Sequence, residues 1–134
     1  MPADFEILGL TVVNGTNNWE QNKDEAVDVS AYSEAAIMLT AFGGTIANKP
    51  GTTSVWVQGA VDNVDERYSD LALLATVTED VLSDIPDTFY ICMKGPGAGG
   101  MADFPGFPRY LRIRVDSDDN ASSLSFDVRA IMKP

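Results

Sequence analysis

The sequence predicts an all-β fold: an antiparallel β-sandwich of the jelly-roll type, with about eight strands in one domain over residues 1–134. Three observations favour it. Apolar and polar residues alternate with a period of two along most of the chain, as in strands that bury one face. Glycine and proline turn signals separate these runs at short intervals. Only residues 78–84 have a helical pattern, enough for one turn capped by Thr78.

The predicted strands follow one another along the whole chain. In residues 54–61, Val55 and Val57 share the apolar face while Trp56 and Gln58 lie on the other. The full set of predicted strands is 5–13, 25–30, 35–42, 54–61, 71–78, 88–94, 109–115 and 125–132. The turn signals between them are Asn14-Gly15, Gly43-Gly44, Lys49-Pro50-Gly51 and Ile85-Pro86-Asp87. Short strands with frequent breaks are typical of two packed sheets with one core between them.

The last two strands have the clearest alternation. Residues 110–115 and 125–132 each place apolar side chains on one face and polar side chains on the other. Because two adjacent alternating runs are typical of a hairpin, we expect these strands to pair. In that pairing Asp127 lies on the polar face beside Arg112 and Arg114, where a cross-strand ion pair explains it.

The bend between these two strands is acidic. Asp116, Asp118 and Asn120 have the spacing of the first side-chain ligands of an EF-hand loop, and Asp127 falls at the twelfth position. However, the sixth position is Ala121 instead of glycine, and strands flank the loop instead of helices. We therefore interpret the segment as a hairpin bend, with a calcium site as the alternative, and expect no metal.

Composition excludes several kinds of chemistry. The chain has no histidine and one cysteine, Cys92, so His-dependent catalysis, a disulfide within the chain and a Cys-based zinc site are ruled out. Cys92 lies in an apolar run, which predicts a buried and inert thiol. Twenty acidic against nine basic residues give a net charge of −11, which disfavours nucleic acid and anionic membranes. The first ten residues lack the pattern of a signal peptide, so we expect synthesis in a cytosol.

Residues 94–108 contain five glycines and three prolines, which predicts a long loop. The loop is either a connection between the sheets or an arm that becomes ordered on a partner. Met101, Phe104 and Phe107 keep the second possibility open, because a solvated connection has little use for three large apolar side chains.

Two further features indicate contacts outside the chain. Trp56 and Tyr110 lie on strand faces opposite the most apolar ones, so this second face either binds sugar or is covered by a loop or a neighbouring subunit; we favour the cover. Five of the nine basic residues lie in the last 26 positions: Arg109, Arg112, Arg114, Arg129 and Lys133. Such asymmetry suits contacts between copies of the chain, or with an acidic partner, better than it suits catalysis.

Three segments carry a resemblance to a known family. They are Val27–Tyr32 ("VDVSAY"), Val55–Asp62 ("VWVQGAVD") and Tyr110–Val115 ("YLRIRV"). Over residues 25–134 their arrangement resembles the small β-sandwich virion proteins of tailed bacteriophages, among them the decoration or cement proteins on the outside of the capsid. The loop 94–108 has no counterpart in this pattern.

The resemblance implies a structural protein without enzymatic activity or cofactor. It implies that the chain is made in the host cytoplasm, is located on the capsid exterior of the virion, binds the major capsid protein and forms a homo-oligomer, specifically a trimer. The residues expected to touch these partners are Met101, Phe104, Phe107, Arg109, Arg112 and Arg114. A carbohydrate-binding module and a calcium-dependent adhesion or receptor-binding domain are the alternative functions.

Overall fold

A computed structural model describes residues 3–14, 18–46, 51–78, 81–82, 85–94, 107–117 and 122–134. Within these ranges the chain forms nine strands and two short 3-10 turns, Lys23–Glu25 and Asp65–Arg67. The strands are β1 Ala3–Asn14, β2 Asn18–Glu20, β3 Val27–Asp28, β4 Glu34–Thr45, β5 Thr53–Ala60, β6 Ser69–Val77, β7 Asp87–Lys94, β8 Tyr110–Ser117 and β9 Ser123–Lys133.

The strands form two antiparallel sheets. Sheet A has the order β1-β9-β4-β7. Sheet B has the order β2-β8-β5-β6, and β3 pairs with β8 beyond the end of β2. This confirms the predicted all-β sandwich. Strand β2 is absent from the prediction, because three residues are too few to show a period.

The core lies between the sheets, on the faces that the alternation predicts. In sheet A, Ile37 and Leu39 of β4 lie opposite Ala130 and Val128 of β9, and all four are buried. In sheet B, the central strands β5 and β8 contribute Val55, Val57, Ile113 and Val115, which are fully buried. The odd-numbered residues of β5 and β8 thus face the even-numbered residues of β9 across the core, and sheets packed in this way lie about 10 Å apart.

The buried side chain of Gln21 ties the two sheets together. Its Nε2 donates to the carbonyl oxygen of Ile7 in β1, 2.9 Å away, and its Oε1 accepts from the backbone N–H of Ile113 in β8 at 3.0 Å. A buried amide is stabilising only when its groups are paired, and here both ends are. Gln21 therefore fixes the position of β1 relative to β8.

The predicted hairpin of the last two strands is wrong. Strand β8 belongs to sheet B and β9 to sheet A, so the chain crosses between the sheets after Ser117. Asp127 lies opposite Thr40 of sheet A and not beside Arg112 or Arg114. The alternation of one strand shows which face is buried, and it is satisfied equally by a neighbour in the same sheet or by a place in the opposite sheet.

Two smaller predictions concern turns. Gly43 and Gly44 are not a turn: both belong to β4, after a register shift at Ala41, and pair with Ser125 and Leu124. The helical turn is seen at Val81 and Leu82, where the Val81 N–H donates to Thr78 Oγ1 at 3.4 Å. Among the helical residues that the structure describes, none belongs to a helix long and apolar enough to cross a membrane.

Candidate functional site

The outer face of sheet B carries a cluster of ion pairs around Arg112 and Arg114, here called the arginine cluster. Arg112 is 1% exposed, although it lies on the polar face of β8. Its Nε donates to Gln58 Oε1 at 2.9 Å, its Nη1 donates to Asp65 Oδ1 at 2.7 Å, and its Nη2 donates to Glu20. A buried guanidinium is tolerated when carboxylates neutralise it and its donors are bonded, and both conditions hold here.

The connection between β5 and β6 covers this part of the sheet. The ring of Tyr68 lies over Arg112, with 3.9 Å between the ring centroid and the guanidinium carbon. Burial raises the pKa of the Tyr68 hydroxyl, although the Arg112 charge opposes this shift. The hydroxyl donates to Asn63 Oδ1 at 2.6 Å, and Asn63 Nδ2 donates to the Lys23 carbonyl oxygen at 3.0 Å, which ties the connection to the segment after β2. We predicted that a loop or a neighbouring subunit covers this face. Over Arg112, the connection between β5 and β6 forms such a cover.

Arg114 lies next to this cover, on the open part of the same face. Its Nε and Nη2 donate to the two carboxylate oxygens of Asp70 at 2.9 and 2.7 Å, and its Nη1 donates to Asn18 at 3.0 Å. Burial would raise the pKa of the Asp70 carboxyl, but hydrogen bonds from Arg114 and Gln58 and the Arg114 charge together hold this pKa below its usual value. The hydrogen bond to Asp70 raises the pKa of Arg114.

Trp56 borders the open part of the arginine cluster. It pairs with Arg114 on one side and with Leu73 on the other. The guanidinium carbon of Arg114 is 5.8 Å from the centroid of the Trp56 ring, and Leu73 is 42% exposed. An indole ring thus lies beside polar groups that intramolecular hydrogen bonds hold in position.

The outer face of sheet A has a different character. It carries an apolar patch on β9, β4 and β7, here called the apolar face, which consists of Ala36, Met38, Tyr90, Cys92 and Ile131. In one row across the sheet Cys92 lies opposite Ala36, which lies opposite Ile131, and in the next row Tyr90 lies opposite Met38. Tyr90 is 70% exposed and Ile131 is 49% exposed. No strand among the described residues covers this face.

Charged side chains border the apolar face at one end and on its β1 side. Lys94 pairs with Glu34 at 3.2 Å along one end, and Arg129 pairs with Glu6 at 3.7 Å along the β1 side. These pairs are partly exposed, so each contributes little to stability. An apolar centre with a polar rim is the usual composition of a surface that binds another protein.

The exposure of Cys92 contradicts the predicted buried thiol. The apolar run around it conceals an alternation: Met93 faces the core, and Cys92 and Tyr90 face outward. The apolar neighbours of Cys92 in the sequence therefore led to the wrong prediction of burial, whereas the alternation with a period of two gives the correct face.

The residues predicted to touch partners are found in different environments. Met101 and Phe104 lie outside the described residues. Phe107 is partly buried and packs against the core. Arg109 is exposed, with its guanidinium carbon 5.6 Å from the Tyr110 ring centroid. The other two, Arg112 and Arg114, use their donors within the chain, and neither the sequence nor its alternation signals this.

The calcium candidate is divided by the fold. Asp116 is exposed on sheet B and lies 3.6 Å from Arg114, whereas Asp118 and Asn120 lie outside the described residues. Asp127, the candidate for the twelfth position, is on the outer face of sheet A, across the whole sandwich from Asp116. In the described part of the chain, no three residues among His, Cys, Asp and Glu are grouped as a metal site would need.

Comparison with known proteins gives no family. No protein-family profile and no curated protein matches the chain. Among solved structures, the chain is similar to the CBM22-1–GH10 modules of the endo-1,4-β-D-xylanase 10B of Clostridium thermocellum, complexed with xylohexaose. The identity is 12%, the TM-score is 0.47, and the match covers 99% of this chain and 26% of that chain. The chain therefore spans about a quarter of the length of the xylanase chain that it matches.

Proposed function

We propose that the protein is a structural component of a tailed-phage virion that binds the outer surface of the capsid and stabilises the shell. The partner comes from the resemblance of the segments Val27–Tyr32, Val55–Asp62 and Tyr110–Val115 to phage decoration proteins. These three segments contribute adjacent strands of sheet B, since β3 and β5 both pair with β8. The resemblance is thus carried by one continuous piece of sheet.

The observation that carries the proposal is the apolar face of sheet A. Apolar side chains in two adjacent rows are open to solvent there, on β9, β4 and the edge strand β7. Soluble monomers rarely leave such a patch without a partner. In this proposal the apolar face lies against the major capsid protein, and the more acidic remainder of the surface points outward.

Capsid binding of this kind works through many copies. Burial of Tyr90 and Ile131 contributes about 1.5–3 kcal/mol for each side chain, which is modest for one contact. On an ordered lattice, copies that also associate with each other are held by several such contacts at once. The homo-oligomer and the virion location belong to this proposal.

Co-sedimentation tests the proposal. The purified chain is mixed with expanded, emptied capsids of the phage that encodes it, and the bound fraction is measured across a concentration series. We expect saturable binding, and at least tenfold weaker binding for the double variant Tyr90→Ser, Ile131→Ser because the burial of two apolar side chains is lost.

Leu73→Ser is the matched control, because Leu73 is also exposed and apolar but lies on sheet B. It is expected to bind as the wild type does. A wild-type chain that never pellets with capsids contradicts the proposed function, and equal weakening by Leu73→Ser contradicts the assignment of the apolar face.

A carbohydrate-binding module is the second candidate, and the surroundings of Trp56 favour it. An indole beside Arg114, Asp70 and Asn18 offers a stacking surface with polar groups fixed nearby, which is how ligand sites combine apolar area with a few placed hydrogen bonds. Binding to a glycan array that is lost in Trp56→Ala and retained in Tyr90→Ala supports this candidate. The absence of binding across a broad array removes it.

A further inference from the structure

Strand β7 is a sheet edge without the usual protection. It lies at the end of sheet A, and within the described residues it pairs on one side only, with β4. Its eight residues follow β4 in an unbroken register from Asp87 opposite Ala41 to Lys94 opposite Glu34. The residues between these two charged ends, Thr88–Met93, carry no charge and no proline. A regular, apolar edge of this length is a template for another strand.

The other sheet edges in the described chain are interrupted. Strand β1 has two register shifts against β9, and β6 has two against β5. The remaining edge consists of β2 and β3, which are three and two residues long. Bulges and short strands are the devices by which native proteins prevent pairing at an edge. Because the other three edges are protected in this way, the regular edge of β7 is the one at which we expect another strand to pair.

We propose that β7 pairs with β7 of a second copy of this chain, in an antiparallel arrangement that joins two A sheets into one. Pairing with a different edge of the second copy would place β7 against an interrupted strand. A strand that pairs with its own copy gives a closed twofold dimer. The suitable partner for the β7 edge of one copy is therefore the β7 edge of the second copy.

The side chains of β7 select the register of this pair. Residues opposite each other in an antiparallel pair point to the same face, so a symmetric pair is centred on Tyr90 or on Ile91. A centre at Tyr90 places Asp87 of one copy opposite Met93 of the other. Met93 is buried in the core, so a charged side chain would lie beside an apolar one. A centre at Ile91 places Phe89 against Met93 and Tyr90 against Cys92, so apolar residues meet on both faces. We therefore assign the centre to Ile91.

The mass in solution and one pair of variants test the edge. Light scattering of the reduced wild-type chain is expected to give twice the 14.4 kDa of one chain. Cys92→Lys places two like charges about 7–8 Å apart across the twofold axis, and we expect dimerisation at least tenfold weaker. Ala36→Lys is the matched control, because Ala36 is exposed directly opposite Cys92 but on the interior strand β4; it is expected to leave the dimer intact.

Two further measurements locate the contact. Hydrogen exchange of β7 amides is expected to slow as the protein concentration rises, with no change in β6. In a Cys92→Ser background, Ile91→Cys is expected to form a disulfide between copies on oxidation. Thr88→Cys is not, because position 88 of one copy lies about 20 Å from position 88 of the other, six residues along the strand.

The inferred dimer differs from the trimer that the resemblance implies. A monomeric or trimeric wild type overturns the inference, and so does a dimer that Ala36→Lys disrupts as strongly as Cys92→Lys. The inference does not depend on capsid binding, because these measurements use the purified chain alone. A dimer that fails to bind capsids contradicts the proposed function only.

Discussion

Arg112 shows how one residue can be placed by contacts that its strand does not reveal. Alternation puts it on the polar face, yet Tyr68 covers it, and Glu20 and Asp65 neutralise it. A buried arginine costs free energy unless its fork of donors is matched, and lysine cannot reproduce that fork or stack in the same way. The residue therefore holds the β5–β6 connection over sheet B and ties β2 to β8 within that sheet.

Replacement of Arg112 tests this role. We expect Arg112→Ala to lower the free energy of unfolding by about 3 kcal/mol, because a buried charge with several partners and its packing are lost. The stability of Arg112→Lys is expected to fall between that of Arg112→Ala and that of the wild type. Urea denaturation measures the difference. A loss below about 0.5 kcal/mol, the usual size for a surface substitution, would show that the cluster has no structural role.

Asp70 gives a prediction with a pH dependence. Its folded pKa lies below the unfolded value of about 3.9. The ionised carboxylate therefore adds stability above that pH, and this contribution disappears as the pH falls through the lower folded value. Asp70→Asn is expected to cost about 1 kcal/mol at pH 7, a figure kept small because the pair is partly exposed.

The stability difference between wild type and Asp70→Asn should be constant from about pH 7 to 5 and should narrow below about pH 4. Urea denaturation across this pH range measures it. Asp24→Asn, which removes the same charge from an exposed position, is the control for the change in net charge, and the effect of Asp70→Asn is compared with it at each pH. A stability difference that grows as the pH falls would contradict a folded pKa of Asp70 below the unfolded value.

At the scale of elements, β4 shows why two adjacent glycines differ. A Cβ atom at Gly44 would lie 2.5 Å from the carbonyl oxygen of Ser123, which is backbone of β9 and cannot rotate away. A Cβ atom at Gly43 would meet nothing within 4 Å. The close approach of β4 and β9 after the register shift thus requires glycine at one position only.

This contrast predicts different outcomes for two similar substitutions. We expect Gly44→Ala to lower the free energy of unfolding by about 1–3 kcal/mol, because the two central strands of sheet A must separate. Gly43→Ala is expected to be neutral or to stabilise by up to about 1 kcal/mol, since alanine restricts the unfolded chain more than glycine does. Thermal and urea unfolding of both variants provide the comparison, and equal losses would contradict it.

At the scale of the whole molecule, the net charge acts against the stability of the folded state. A chain of 134 residues with a charge of −11 repels itself when folded. Four of the nine basic residues that offset this charge lie on β8 and β9, which are central strands of different sheets, so each sheet receives part of the compensation. The fold thus distributes a charge asymmetry that is concentrated at one end of the sequence.

Self-repulsion predicts a salt dependence. We expect the free energy of unfolding to rise as sodium chloride increases from about 10 to 150 mM, because the Debye length shortens to about 8 Å and repulsion between distant carboxylates is screened. Urea midpoints at several salt concentrations measure the effect. A fall over the same range would mean that the arginine cluster contributes more to stability than the net charge removes.

Sequence and structure thus divide the description of this protein between them. Alternation determined the β-sandwich class, the buried faces of β5, β8 and β9, and the outward position of Trp56. These are properties of a single strand, because successive side chains point to opposite faces wherever the strand is placed.

The tertiary structure decided what one strand cannot show: that β8 and β9 lie in different sheets, that Arg112 is covered, and that β7 is regular and, among the described residues, pairs on one side only. Each of these features depends on which strands become neighbours in the fold. Segments that are distant in the sequence, such as β2 and the β5–β6 connection, determine this. Local alternation is equally satisfied by several such neighbours, so only the packed molecule selects among them.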